Sequence, residues 1–204
     1  MNNILIHCAM EKEGKKIADS LNLVQKEENK IFNIYEGKEK ETKIDLIITG
    51  IGKQKTAIGL STYLCTNARP DIIINIGYAG STNEEIGRWI NISKSYNLEW
   101  DIPGEEKYSM KDIGNQELEK IENLKSLPCY SSETFVTSSK IKDNVIFDME
   151  LHSICLLGDL YNIPVLSLKK ISDNLNMEDY YKNLKRDEVM ELESSISYIK
   201  KYIK

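Results

Sequence analysis

Histidine and cysteine are scarce in this chain of 204 residues, and the scarcity excludes several kinds of chemistry. The two histidines, His7 and His152, stand far apart, and Cys8, Cys65, Cys129 and Cys155 form no C-x-x-C pair. A dedicated zinc site draws about four ligands from clustered His and Cys, so no metal site is expected. Scattered thiols, two of them inside apolar runs, suit reduced core cysteines in a reducing cytoplasm. No apolar run approaches the roughly 20 residues that cross a bilayer, and the N-terminus turns charged by Glu11, too early for a secretory signal. A cytosolic protein with no membrane contact is expected. Positive charge is never massed: acids and bases alternate around a net charge of −5, which removes the basic surface that nucleic acids need. Repeats, low-complexity tracts and linkers are also missing. What is present, 41% hydrophobic and 29% charged residues, suits a single domain spanning residues 1–204 with a real core.

Apolar runs alternate with helical patterns along the chain. Strands are predicted at Asn3–Ala9, Ile31–Glu36, Ile44–Thr49, Asp71–Ile76, Trp89–Ser95, Tyr130–Thr137 and Val145–Phe147, and a further one from Pro164 toward Asp173. Helices are predicted at Met10–Leu21, Lys53–Asn67, from a cap at Asp148, at Met177–Leu184 and over Asp187–Ile203, where Val189, Leu192, Ile196, Ile199 and Ile203 recur at helical spacing. The region between Tyr96 and Asn123 reads as a surface loop with a short helix. This alternation describes an α/β protein with a mostly parallel sheet wrapped in helices.

The stretch P-V-L-S-L-K-K-I-S-D-N ends an apolar strand on Asp173, and open α/β sheets bind ligands at the C-terminal ends of their strands. A helix capped by Asp148 would place Met149 and Glu150 in its first turn, near the same ends. On the first helix Met10, Gly14, Ile17, Ala18 and Leu21 form the inward stripe, with Glu13 on its flank. Helix geometry leaves Glu13 open between an inward role and a surface pairing with Lys16. Gly50-Ile51-Gly52-Lys53 follows a strand but lacks the spacing of a P-loop or a dinucleotide fingerprint, which favours tight strand-to-helix packing. Gly77-Tyr78-Ala79-Gly80-Ser81 is either a close-approach surface for a ligand or an ordinary turn. Phe135 is equally a core residue or a ligand platform.

Taken in order, A-M-E-K-E at residues 9–13, G-I-G-K at 50–53, I-I-N-I-G-Y-A-G at 73–80, D-M-E at 148–150 and I-S-D at 171–173 carry a resemblance over nearly the whole chain. The chain resembles the methylthioadenosine/S-adenosylhomocysteine nucleosidase branch of the nucleoside phosphorylase superfamily. That resemblance implies a central mixed, barrel-like β-sheet surrounded by helices, and a hydrolase that cleaves the N-ribosidic bond of a 5′-modified adenine nucleoside. It implies Asp173 as the general acid toward N7 of the purine and Glu13 as the residue that activates water. It assigns Met149 and Glu150 to the ribose, Phe135 to stacking on adenine, Val136 to the edge of the base, and Tyr78, Ala79 and Ser172 to the pocket wall. The alternative for Glu150 is service to a helix N-terminal dipole. No cofactor is implied, the partner is a small nucleoside, and a homodimer is expected.

Several positions depart from the family pattern. Tyr78 stands where a serine is usual, Leu151 and His152 replace small residues, and Lys169 replaces an arginine. The region from Tyr96 to Asn123 is short and lacks the usual segment beside the 5′ substituent. A purine nucleoside phosphorylase is an alternative, but it needs arginines for phosphate, and only Arg69, Arg88 and Arg186 exist. A nucleoside-binding protein without turnover is the other alternative.

Overall fold

Nine strands form one mixed sheet in the order β2-β3-β4-β1-β5-β8-β7-β6-β9, and β9 also pairs with β5, so the last five strands close into a barrel. The computed structural model describes residues 3–110, 113–114, 116–186 and 191–203. The strands are β1 (Asn3–Cys8), β2 (Val24–Glu28), β3 (Asn33–Glu39), β4 (Thr42–Ile48), β5 (Ile72–Ser81), β6 (Trp89–Asn97), β7 (Ser126–Ser131), β8 (Ile146–Asp148) and β9 (Val165–Asp173). The helices are α1 (Glu11–Ser20), α2 (Lys53–Thr66), α3 (Leu151–Tyr161), α4 (Met177–Asn183) and α5 (Ser195–Ile199), the last running into a 3-10 turn at Lys200–Tyr202.

Continuous burial explains the centre. Every residue of β9 is buried, and β5 is buried along nearly its whole length, as expected for strands covered on both faces. One core, which includes Ile17, Ile74, Ile76, Leu168, Leu192 and Ile199, lies under α1 and the C-terminal segment. The other, which includes Leu60, Tyr63, Ile73, Leu151, Ile154 and Val165, lies under α2 and α3.

Several elements differ from the sequence pattern. The sheet is mixed, not mostly parallel: β3 runs antiparallel to β2 and β4, β8 to β5, and β6 to β9. The pattern contains no signal for β2, whose residues V-Q-K-E-E are all exposed; a charged edge strand has no buried face to print an alternation. The strand expected at Tyr130–Thr137 is shifted back to end at Ser131. There the Ser132 hydroxyl accepts a hydrogen bond from Thr134 N at 3.1 Å and turns the chain out of the sheet, leaving Phe135 and Val136 in irregular structure. Asp148 ends β8 instead of opening a helix, and α3 starts at Leu151 with Glu150 at its cap position. Asp148 still serves that helix end, since its Oδ2 accepts from Leu151 N at 2.9 Å. Gly77–Ser81 is no turn but the end of β5, hydrogen-bonded to β9 and β8. Of the expected C-terminal helix, residues 187–190 lie outside the described ones, and among the described residues that follow only α5 is α-helical, although Leu192, Ile199 and Ile203 are buried as their spacing predicts. Between Leu98 and Lys125 no helix occurs among the described residues, and Leu118 and Ile121 anchor the segment in the core.

Candidate active site

Glu13, Glu150 and Asp173 come from three separate segments and line one cavity of about 570 Å³. Each is placed by local backbone chemistry. Glu13 is the third residue of α1, where a glutamate reaches back to the helix start: its Oε2 accepts from Met10 N at 2.8 Å. Its Oε1 accepts from Tyr78 N on β5 at 3.0 Å, so the side chain turns inward and is only 2% exposed, not paired with Lys16 on the surface. Burial pushes its carboxyl above the ordinary value, against the pull of those two N–H donors.

Asp173 ends β9. Its Oδ2 accepts from the Ser172 hydroxyl and its Oδ1 from Leu175 N, both at 2.9 Å, and burial raises its pKa. The glycines of β5 are spaced for these acids. A Cβ on Gly77 would lie 3.1 Å from Glu13 Oε1, and one on Gly80 would lie 3.1 Å from Asp173 Oδ1. Close approach is therefore what the small residues of that stretch permit, and they permit it to the protein's own carboxyl groups.

Glu150 and Asp148 show how two buried acids two residues apart are driven in opposite directions. Burial opposes ionisation of both, but Asp148 pairs with the buried Lys169 ammonium at 2.8 Å and accepts from Ser131 Oγ at 2.5 Å, so its pKa falls below the ordinary value. Burial raises that of Glu150, and the neighbouring Asp148 raises it further. Glu150 Oε1 accepts from Gly52 N, the cap of α2, at 3.0 Å. A carboxyl held by one backbone N–H, with lone pairs left over, suits a ligand that donates from hydroxyl groups. Gly52 has φ +107°, so G-I-G-K does more than pack: it aims the start of α2 at Glu150 and, through Lys53 N, at Glu133 Oε2, 2.9 Å away.

Around this floor the cavity is lined by the other residues singled out from sequence, Met149, Phe135, Val136, Tyr78, Ala79 and Ser172. Leu151 and His152 are buried but do not line it. Tyr78 does, and the stated volume remains with its ring in place. Sequence reasoning missed the opposite wall, Met177, Tyr180 and Tyr181 of α4 with Leu184 beyond it. Tyr180 packs edge-on to Phe135, ring centres 5.3 Å apart at 63°, and Asn183 Nδ2 ties α4 to the Ser172 carbonyl at 2.9 Å. An asparagine three residues after the Ile171-Ser172-Asp173 triplet, Asn176, caps α4 by accepting from Glu178 N and Asp179 N, and that cap was the available signal. Among the described residues no cluster of His, Cys, Asp or Glu is arranged to hold a metal ion, and no helix is long and apolar enough to cross a membrane.

A family model described as the phosphorylase superfamily matches residues 3–198. A 5′-methylthioadenosine/S-adenosylhomocysteine nucleosidase of Desulfotalea psychrophila is 26% identical, with 83% of each chain covered. A protein of the same name from Buchnera aphidicola of Schizaphis graminum is 40% identical over 76 residues, 37% of this chain and 32% of that one. Among solved structures, the nucleosidase of Neisseria meningitidis bound to methylthio-immucillin-A superposes with a TM-score of 0.85 at 18% identity, covering 98% of this chain and all of the other. Futalosine hydrolase of Helicobacter pylori superposes with a TM-score of 0.84 at 16% identity, covering 98% of both. These likenesses include the barrel and its surrounding helices.

Proposed function

The chain belongs to the phosphorylase superfamily, and from that premise we propose that it hydrolyses the N-ribosidic bond of a 5′-modified adenine nucleoside. The observation that carries the proposal is the meeting of Glu13, Glu150 and Asp173 in one cavity of nucleoside size. In this reaction water attacks the anomeric carbon as its bond to the purine breaks. Asp173 gives a proton toward N7 of the leaving base, Glu13 takes one from the water, and adenine and the free 5-modified ribose remain. The raised pKa of Asp173 keeps a proton available nearer neutrality, and the raised pKa of Glu13 makes it a stronger base once ionised. Glu150 and Met149 hold the ribose, Phe135 stacks on the adenine, Val136 reads its edge, and Tyr78, Ala79 and Ser172 complete the wall. The names of the relatives favour a methylthioadenosine- or S-adenosylhomocysteine-like substrate.

Water is favoured over phosphate as nucleophile because none of the three arginines lines the cavity: Arg69 donates to the Asn162 carbonyl, Arg88 pairs with Glu84, and Arg186 follows α4. Purified protein is expected to release adenine from methylthioadenosine with no phosphate present. Release only on adding phosphate selects a phosphorylase, and binding without release selects a nucleoside sensor. The same proposal carries a homodimer at work in the cytoplasm; a monomer mass in sedimentation at micromolar concentration would count against the dimer.

A further inference from the structure

The segment that carries Phe135 and Val136 lies in no helix or strand, so contacts other than a sheet ladder must hold it in place. The chain leaves β7 at Ser131, and Thr134, Phe135 and Val136 then line the cavity. A main-chain bond from Ser132 N to the Asp148 carbonyl, 2.9 Å, fixes where the segment begins. The bonds that follow run to Glu99 and Lys53. Glu99 Oε1 accepts from the Ser132 hydroxyl at 2.6 Å and from Glu133 N at 2.9 Å, while its Oε2 pairs with the Lys53 ammonium. Lys53 Nζ also donates to Asn97 Oδ1 at 2.6 Å, and Lys53 N donates to Glu133 Oε2 at 2.9 Å, which closes a ring of contacts. Lys53, Glu99 and Glu133 all stand outside the cavity lining.

The other side of that ring is the start of α2. Gly52 N and Lys53 N are consecutive donors, the first to Glu150 and the second to Glu133. Ser153 Oγ of α3 donates to the Lys53 carbonyl at 2.9 Å, tying this helix start to the helix that Glu150 caps. We propose that Glu99 and Lys53 are positioning residues: their clamp holds the purine-side segment in register with the Glu150 carboxyl, so that base platform and ribose acid are set from one helix start. This rests on the nucleosidase reading of the cavity and adds to it two residues that touch no part of the substrate. A platform that is already ordered spares the base the cost of ordering it on binding. Lys53 exposes 15% of its side chain and Glu99 46%, so the ion pair is partly screened and contributes modestly. The two bonds that the Glu99 carboxylate accepts from Ser132 and Glu133 carry the larger share.

The test measures adenine binding by calorimetry, and kcat and KM for methylthioadenosine, in variants of the full chain. Glu99→Ala should weaken adenine binding about tenfold and raise KM in step, with kcat changed less than about threefold because the three acids keep their own backbone donors. Glu99→Gln, which keeps an acceptor for Ser132 and Glu133 but loses the ion pair, should fall between Glu99→Ala and the wild type. Lys53→Met should weaken adenine about threefold, and Lys53→Arg, whose guanidinium keeps the charge and the donors, should restore it. Hydrogen exchange should quicken at residues 132–136 of Glu99→Ala and stay slow in β5 and β9. A merely structural pair would lower the unfolding midpoint without changing the adenine affinity of the folded protein. An unchanged adenine Kd in Glu99→Ala and Glu99→Gln, or exchange that quickens alike throughout the chain, overturns the inference while leaving adenine release from methylthioadenosine as evidence for the nucleosidase. Wild-type protein that binds no adenine overturns the nucleosidase reading and the inference with it.

Discussion

Two runs of buried polar groups cross the same sheet and serve opposite ends. The first is a seam from β9 to α2: Ser167 Oγ donates to Asn75 Oδ1 at 2.9 Å, Asn75 Nδ2 meets His7 Nδ1 at 3.2 Å, and His7 Nε2 meets Thr49 Oγ1 at 2.9 Å. Thr49 in turn meets Thr56 Oγ1 at 3.3 Å. Each hop joins neighbouring elements, and each group spends its hydrogen-bonding capacity on the protein. The second run is the floor formed by Glu13, Glu150 and Asp173, where carboxyl oxygens held by backbone N–H groups keep lone pairs facing open volume. Burial is equal in the two runs, so burial alone does not mark a site. Unspent acceptors beside a cavity do.

The widest gap between the two runs is expected in turnover. Asp173→Asn removes the proposed proton donor at almost constant shape, so adenine release should fall about a hundred- to ten-thousandfold with an unchanged circular dichroism spectrum. Near-normal turnover in that variant would put the acid elsewhere. Lys169 lies on the border between the runs, and Lys169→Met leaves Asp148 buried without its countercharge. Unfolding free energy should drop by about 3 to 5 kcal/mol in denaturant titrations, and Lys169→Arg should recover much of it. An unchanged midpoint for Lys169→Met would mean that Asp148 simply takes up a proton.

The seam should respond in the reverse sense to the floor. Asn75→Leu removes the partner of His7 Nδ1 and the acceptor of the Ser167 hydroxyl, while His7 Nε2 keeps Thr49, and it should cost about 1 to 3 kcal/mol of stability, with kcat retained. Loss of kcat without loss of stability would merge the two runs into one functional unit. The mildest effect expected is on pH dependence. Burial, helped by the Lys169 ammonium, lowers the pKa of His7 from 6.5 to about 3. The unfolded chain therefore takes up a proton that the folded chain refuses, so this contribution is complete above pH 6.5 and drains away as the pH falls toward 3. Its slope is at most roughly 1.4 kcal/mol per pH unit. Urea midpoints at several acidic pH values should fall less steeply in His7→Gln than in the wild type, and parallel slopes would remove His7 as the cause.

Much of the barrel's interior is legible in sequence because its strands are buried on both faces and print continuous apolar runs; Ile72–Ile76 and Val165–Ile171 are the plainest. The edge strand β2 is illegible for the converse reason, since five exposed residues carry no pattern. On the site, motif order pointed to Glu13, Glu150 and Asp173, but local spacing left Glu13 between two faces. The N–H of Tyr78, which turns it inward, is 65 residues away in the chain. The α4 wall was missed because its residues contribute to the cavity through shape, with no motif of their own.

By itself, then, the sequence determined which segments are strands of the core and which residues bring titratable carboxyl groups to strand and helix ends. Only the tertiary structure decided that β9 closes back on β5, that Gly77 and Gly80 leave room for the acids, and that three buried acids from distant segments line one cavity. Propensity and periodicity act over a few residues. Closure, close approach and the depth of a charge depend on contacts between segments far apart in the chain, and a linear pattern carries no record of those distances.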